Sequence, residues 1–205
     1  MGIAGVLGVA LAILLFFVLP TWIFNLLLLP LPALGGNLLY RSIIEGVMRI
    51  GIFLVYLILC SRMKEIHRVF EYHGAEHKTI FCYENEEPLT VENVKRHIRF
   101  HPRCGTSFMI IMLMLGIIIG FFIPFSNPFL RSAVKILCLP VTVGLGFELI
   151  RICGKYDNLA TRIIAAPGLW MQHITTKEPS DDMIEVAIKA IEAVIPENGE
   201  DVVRR

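Results

Sequence analysis

Apolar residues along this chain gather into four long runs, at roughly residues 3–29, 43–60, 107–124 and 133–150, separated by two polar blocks. Each run approaches the ~20 mostly apolar residues that a membrane-crossing helix needs, so the pattern predicts four spans. The first ends in a cluster of turn formers, Pro30, Pro32, Gly35, Gly36 and Asn37, which cannot continue a helix. The second carries Glu45 and Arg49 one helical turn apart, where they can pair. The third follows Gly105, with Thr106 or Ser107 as its N-cap, and stops at Pro124. The fourth is interrupted by Pro140, loosened by Gly144 and Gly146, and holds Lys135 and Glu148. Glu148 reads most simply as an interfacial helix-end residue, although acids within spans are functional suspects.

In the first polar block, Ile66, Phe70, His73, His77, Ile80 and Glu84 recur at spacings of three and four, the stripe of a helix continuing from the second span. Thr90, with Glu92 in the first turn, caps a helix from Val91 to about Phe100. In the tail, Pro167, Gly168, Leu169 and Trp170 can start a short interfacial helix. A last helix begins after Pro179, with Ser180 as N-cap and Asp181 and Asp182 at the positive end of its dipole. Its apolar face, Ile184, Ile188, Ile191 and Ile195, should dock most simply on residues 61–106. The expected architecture is an all-α integral membrane protein. About four transmembrane helices carry a His-rich helical cytoplasmic hairpin and an amphipathic C-terminal helix. The segments are 1–60 and 107–150 for the paired spans, 61–106 for the His/Cys-rich block and 151–205 for the tail.

Composition sharpens this. Hydrophobic residues make up 55% of the 205, mean hydropathy is +0.66, and residues 1–40 contain no charged side chain or histidine, which excludes an ordinary soluble enzyme. The net charge of +1 gives no basic surface for nucleic acid. Its distribution is uneven: residues 61–106 and the tail hold fifteen of the cations, while Arg41 and Arg131 alone belong to the opposite side of a four-span layout. The positive-inside bias therefore puts both polar blocks and both termini in the cytoplasm. Five scattered cysteines without a CxxC pair fit a reducing compartment. The N-terminus lacks the basic flank of a secretory signal and reads as an uncleaved span.

Five of the six histidines, 67, 73, 77, 97 and 101, fall in residues 61–106 together with Cys104. His73 and His77 lie at i, i+4, the spacing that lets two imidazoles on one helix face grip one ion. With Glu76 they spell HxxEH, the inverted order of some zinc peptidases, in which Glu76 can take a proton from water. His97 and His101 repeat the spacing, but Pro102 disfavours helical geometry at His101, so these two need not share a face. Cys104 follows Arg103 at a helix start, and both influences favour thiolate. His73, His77, His101 and Cys104 would form a four-coordinate site for a divalent ion, with zinc suited to mixed imidazole and thiolate ligands. The alternative is that the interfacial histidines only cap or pack.

The strings EYHGAEHKTI (Glu71 to Ile80), LTVENV (Leu89 to Val94) and HPRCGTSF (His101 to Phe108), followed by PGLWMQ and TTKEP, resemble the YqhQ family of bacterial membrane proteins. The resemblance runs over nearly the whole chain. It implies a multi-pass protein of the bacterial plasma membrane, from a family of unknown function labelled a predicted metal-dependent enzyme. It also implies that His73, Glu76, His77, His101 and Cys104 are the metal-site positions and that Glu148 matches a family acid near the end of the last span. Family members typically carry a soluble segment before the first span, and this sequence starts without one.

Two functions stay open. One is a metal-dependent hydrolase at the cytoplasmic membrane interface, with Glu76 as the proton acceptor and Lys78 or Arg103 stabilising oxyanion charge. The other is a non-catalytic scaffold in the lipid bilayer, whose closed metal site staples the 61–106 block for binding another membrane or cytosolic protein. Transport is disfavoured, because Glu45, Arg49, Lys135 and Glu148 are the only polar groups of this kind in the spans.

Overall fold

Helices account for all the regular structure among the described residues, 2–27 and 37–195, of the computed structural model. They form two compact units. One contains Met1–Tyr56 and Ile110–Glu148, the other Leu57–Met109 and Leu149–Arg205.

The first unit starts with α1 (Gly2–Ile13), a π turn (Leu14–Val18) and α2 (Leu19–Leu27), which run on as a 26-residue apolar helix. At 1.5 Å per residue it is about 39 Å long, enough to cross a hydrocarbon core of ~30 Å. The expected turn cluster from Pro30 to Gly36 lies outside the described residues. Asn37 is described, and its side chain accepts from the Leu39 N–H at 2.8 Å to open α3 (Leu38–Ser61), a second helix long and apolar enough to span.

Three later helices of this unit follow α4 (Lys64–Glu84) and α5 (Val91–Arg96) in the chain. Of these, α6 (Gly105–Gly120) has 16 residues, about 24 Å by the same rise, and falls short of the expected span to Pro124. It stops where the Arg131 guanidinium captures the carbonyls of Gly120, at 3.1 Å, and Ile123. Such captured carbonyls satisfy a helix C-terminus. The expected fourth span is the pair α7 (Pro128–Leu137) and α8 (Leu139–Lys155), bent by 50°. Asn127 caps α7 by accepting from Phe129 and Leu130, and Pro140 sits in the first turn of α8, where a missing N–H costs nothing. The described residues therefore hold two or three helices able to cross a membrane, plus one short apolar helix.

Glu45 is not paired to Arg49 as its spacing predicted. Its two oxygens are taken by Arg41 Nε at 2.9 Å, Arg131 Nε at 2.9 Å and Lys135 Nζ at 2.6 Å. Arg49 instead donates to the Phe16 carbonyl at 2.5 Å and lies over the Phe17 ring.

In the second unit α4 is a new helix after a break at Arg62–Met63, not a continuation of α3, but it keeps the predicted stripe. Thr90 caps α5 as expected, accepting from Asn93 N–H at 3.3 Å. The helix is nonetheless shorter than predicted. His97 turns extended (ψ 158°), which frees the Arg99 carbonyl for a contact described below. The next helix, α9 (Leu159–Thr175), begins at a capping box between Asn158 and Thr161, so Pro167 lies inside it and does not start it. Finally, α10 (Asp181–Glu192) begins after Ser180 and buries Met183, Ile184, Ala187 and Ile188 against Ala75 and Cys82 of α4 and Val94 of α5. It docks on the predicted block through Ile184 and Ile188 of the expected face, while Ile191 and Ile195 stay half-buried.

Candidate metal centre

The HGAEH string owes its glycine to packing. A Cβ on Gly74 would lie 2.0 Å from the Lys177 carbonyl oxygen, so the extended stretch after α9 can cross α4 only at glycine. There the Lys177 N–H donates to the Phe70 carbonyl at 2.8 Å. This crossing brings the Thr175 carbonyl under His73, whose Nδ1 lies 2.8 Å from it. One turn along, His77 Nδ1 lies 2.6 Å from the Arg99 carbonyl.

A carbonyl can only accept, so both Nδ1 atoms carry the hydrogen and the neutral rings present lone pairs at Nε2. This is the backbone support usual behind metal-binding imidazoles. The ligand atoms of His73, His77 and Cys104 lie within 4.8 Å of one another, with His73 Nε2 at 3.1 Å from Cys104 Sγ.

Cys104 precedes α6 directly, in the cap position that the sequence assigned to Thr106 or Ser107. Its Sγ accepts from the Thr106 N–H at 3.4 Å and lies 3.2 Å from Thr106 Oγ1. Burial pushes this thiol up, but hydrogen bonding to His73, His77 and Thr106 outweighs burial and holds it at about 5. For His73, burial disfavours the charged ring, yet the bond to Cys104 and the nearby negative charge raise it overall. Without an ion, the pair favours thiolate beside imidazolium; with one, both become ligands.

His101, expected as the fourth ligand, is wired the opposite way. Its Nδ1 accepts from the Arg103 N–H at 3.2 Å, so the hydrogen of the neutral ring sits on Nε2, which lies 3.5 Å from Glu84 Oε1. Wired this way, with Nε2 buried and without a hydrogen-bond partner, His101 lies outside the group of ligand atoms within 4.8 Å of one another that His73, His77 and Cys104 form. Burial lowers its tendency to protonate, despite Glu84. Its ring centroid is 5.7 Å from that of His77.

His73, His77, His101 and Cys104 line one cleft of about 430 Å³. Exposed Glu76 and the Glu84–Arg103 ion pair form part of its wall, and Ile191, Val194 and Ile195 another part. Lys78 does not line it, being buried against Glu178 and the Lys95 carbonyl. Of the two cations proposed for oxyanion charge, the cleft contains Arg103.

Several supports were not singled out from sequence. Gln172 clamps His101 through both backbone groups at 2.7 Å and also donates to Ser107 Oγ at 2.8 Å. A Cβ on Gly168 would meet Ser107 Cβ at 2.6 Å, so glycine allows this close approach one turn before Gln172. PGLWMQ contains both residues, but nothing in its spelling assigns them to the site. A second grouping, Cys82, Glu87 and His97, also falls within 4.8 Å, but burial pushes the Cys82 thiol up, away from the ligating form. All five cysteines are free thiols.

An all-helical chain with apolar helices of spanning length and a His/Cys group able to hold a metal is thereby defined. Residues 1–197 match the family described as "Protein of unknown function (DUF1385)", and the chain belongs to that family. It is similar to the "Uncharacterized protein YqhQ" of Bacillus subtilis (strain 168), 38% identical over 153 residues, an alignment covering 74% of this chain and 48% of the relative. The chain thus spans about half the length of that curated relative. No solved structure matches.

Proposed function

We propose that this chain is a zinc-dependent membrane hydrolase whose site opens at the cytoplasmic face of a bacterial plasma membrane. One observation carries the reading. Two imidazoles with tied Nδ1–H groups converge with a thiolate-prone Cys104 on a point that faces a cleft. Three protein ligands beside open space fit a catalytic zinc site, whereas a structural staple needs four ligands and no cleft. His101 as wired does not supply the fourth.

His73, His77 and Cys104 would hold the ion, which when bound supplies Lewis acidity toward water or a scissile carbonyl or phosphoryl group. Glu76, on the cleft wall, accepts the proton of the attacking water, and Arg103, held by Glu84, offsets developing negative charge. Gln172 keeps the His101–Cys104 turn in place. The bilayer is the partner; a layout in which the short α6 also crosses, together with the fifteen-to-two cation bias, supports a cytoplasmic cleft. A peptide bond or a lipid-headgroup ester near the surface is the substrate class.

The test begins without a substrate. Purified protein should hold about one equivalent of zinc, and its cobalt form should show a thiolate charge-transfer band that Cys104→Ser removes. The double variant His73→Ala, His77→Ala should lose the metal; unchanged metal content would end the proposal. Glu76→Gln should keep metal affinity while stopping turnover. A weakening of about 10- to 100-fold would make Glu76 a support for a histidine and favour a staple.

A further inference from the structure

The first unit has a charge imbalance that the cleft chemistry does not use. Four buried cations, Arg41, Arg49, Arg131 and Lys135, surround one buried carboxylate, Glu45. Arg131 is saturated by Glu45, Ser42 Oγ and the carbonyls of Gly120 and Ile123, and Arg41 is held by Glu45, Asn25 and the Ser126 carbonyl. Arg49 differs. It is 5% exposed, its Nε has only the Phe16 carbonyl, and its Nη2 is buried with no hydrogen-bond partner. A buried, unpaired guanidinium nitrogen is expensive to maintain.

The local backbone is specialised here. The π turn at Leu14–Val18 offers the Phe16 carbonyl to Arg49 and the Phe17 carbonyl to Ser132 Oγ at 3.0 Å. Single π turns inside α-helices often mark functional positions. Arg49 lines a cavity of about 120 Å³ with Lys135, Phe16, Phe17, Gly116 and Thr142. A Cβ on Gly116 would sit 3.4 Å from Arg49 Nη1, so glycine leaves room beside the guanidinium. The Thr142 hydroxyl donates to the Cys138 carbonyl at 2.9 Å, leaving its lone pairs as acceptors.

We propose that this cavity binds one phosphate group, seated between Arg49 and Lys135. The planar guanidinium suits paired hydrogen bonds to a phosphate, and the anion supplies the missing countercharge. The remaining wall is apolar, with Met112, Leu113, Ile119 and Leu139. Such a wall accepts the carbons beside the phosphate of a phospholipid, and the same cationic pair can hold inorganic phosphate. The site is independent of the cleft.

The full chain in neutral detergent would be titrated separately with phosphatidylglycerol, inorganic phosphate and phosphate-free diacylglycerol. Thermal unfolding and native mass spectrometry would be the readouts. One phosphatidylglycerol or one phosphate per chain should bind and raise the unfolding temperature, while diacylglycerol should do neither. A response to the lipid alone identifies the headgroup as the source, and a response to phosphate alone identifies the free ion. Arg49→Gln should weaken binding by about tenfold or more, the loss expected for a charge-assisted hydrogen bond. Leu139→Phe, which fills part of the cavity and leaves every charge in place, should weaken it also and covers the case in which the Gln variant fails to fold. Failure of both phosphate-bearing probes to bind, or equal binding by wild type and the folded variants, overturns the proposal.

Discussion

Glu45 and Cys104 are acidic groups at the centres of their respective units, and they are satisfied in different ways. Glu45 has both oxygens filled by three cationic side chains that reach it from Arg41, Arg131 and Lys135. Cys104 is met by imidazole Nε2 atoms that hold it as thiolate without an ion and become ligands with one, beside a cleft of about 430 Å³. A saturated polar centre resists change; one whose ligating atoms converge beside open space is available for a ligand. The first should matter to stability, the second to chemistry.

The strongest way to break this contrast is to remove the carboxylate charge. Glu45→Gln leaves Arg131 and Lys135 buried without their shared anion, and should cost about 3–5 kcal/mol, as losing one partner of a buried pair usually does. Denaturant unfolding measures it, and the surviving folded fraction should bind metal normally. A cost near zero would show that the Glu45 cluster is not a stability centre.

Next in size is the titration of Cys104. In metal-free protein, alkylation mapped to this residue should rise with a midpoint near pH 5, against 9.0 for an ordinary thiol. At pH 7 that is about a hundredfold difference in thiolate fraction. The fold favours thiolate, so this contribution to stability is complete above the ordinary thiol value, shrinks as pH falls and is gone below about 5. His73, raised from 6.5, contributes in the opposite sense: fully below 6.5, and lost as pH rises through its folded value. His73→Ala should move the Cys104 midpoint upward, and an unmoved midpoint would dissolve the pair.

Gly74→Ala tests whether the tail crossing supports the cleft. The added methyl meets the Lys177 carbonyl at 2.0 Å, so overpacking should cost about 1–3 kcal/mol and weaken metal binding as Thr175 withdraws from His73. Metal binding unchanged in this variant would separate the crossing from the site. The smallest effect should come from His73→Ala in metal-free protein, about 1–2 kcal/mol, the net worth of its two hydrogen bonds to Thr175 and Cys104. A loss as large as that of Glu45→Gln would erase the distinction between the two centres.

Much of the molecule was legible where local chemistry decides it. Thr90 caps α5, Asp181 and Asp182 open α10, and the i, i+4 spacing of His73 and His77 sets their shared face. Illegible features depend on distant partners. Spacing alone pairs Glu45 with Arg49, one turn away, whereas Arg131 and Lys135 arrive from α7. The end of α6 at Gly120 depends on the same Arg131. His101 has the right element for a ligand, but a backbone N–H two residues later fixes its tautomer. Gln172 is an ordinary helix residue until its contacts with His101 and Ser107 are known.

The crossing at Gly74 bears on how this protein can be dissected. The carbonyl that fixes the His73 tautomer belongs to Thr175, and the strap that holds it there is anchored by Lys177 on Phe70. A fragment ending before α9 would keep every letter of HGAEH and HPRC yet lose the acceptor that orients His73. Its imidazole would be free to exchange tautomers. The smallest metal-competent piece of this chain therefore extends through Lys177, far beyond the motif by which a sequence scan would delimit it.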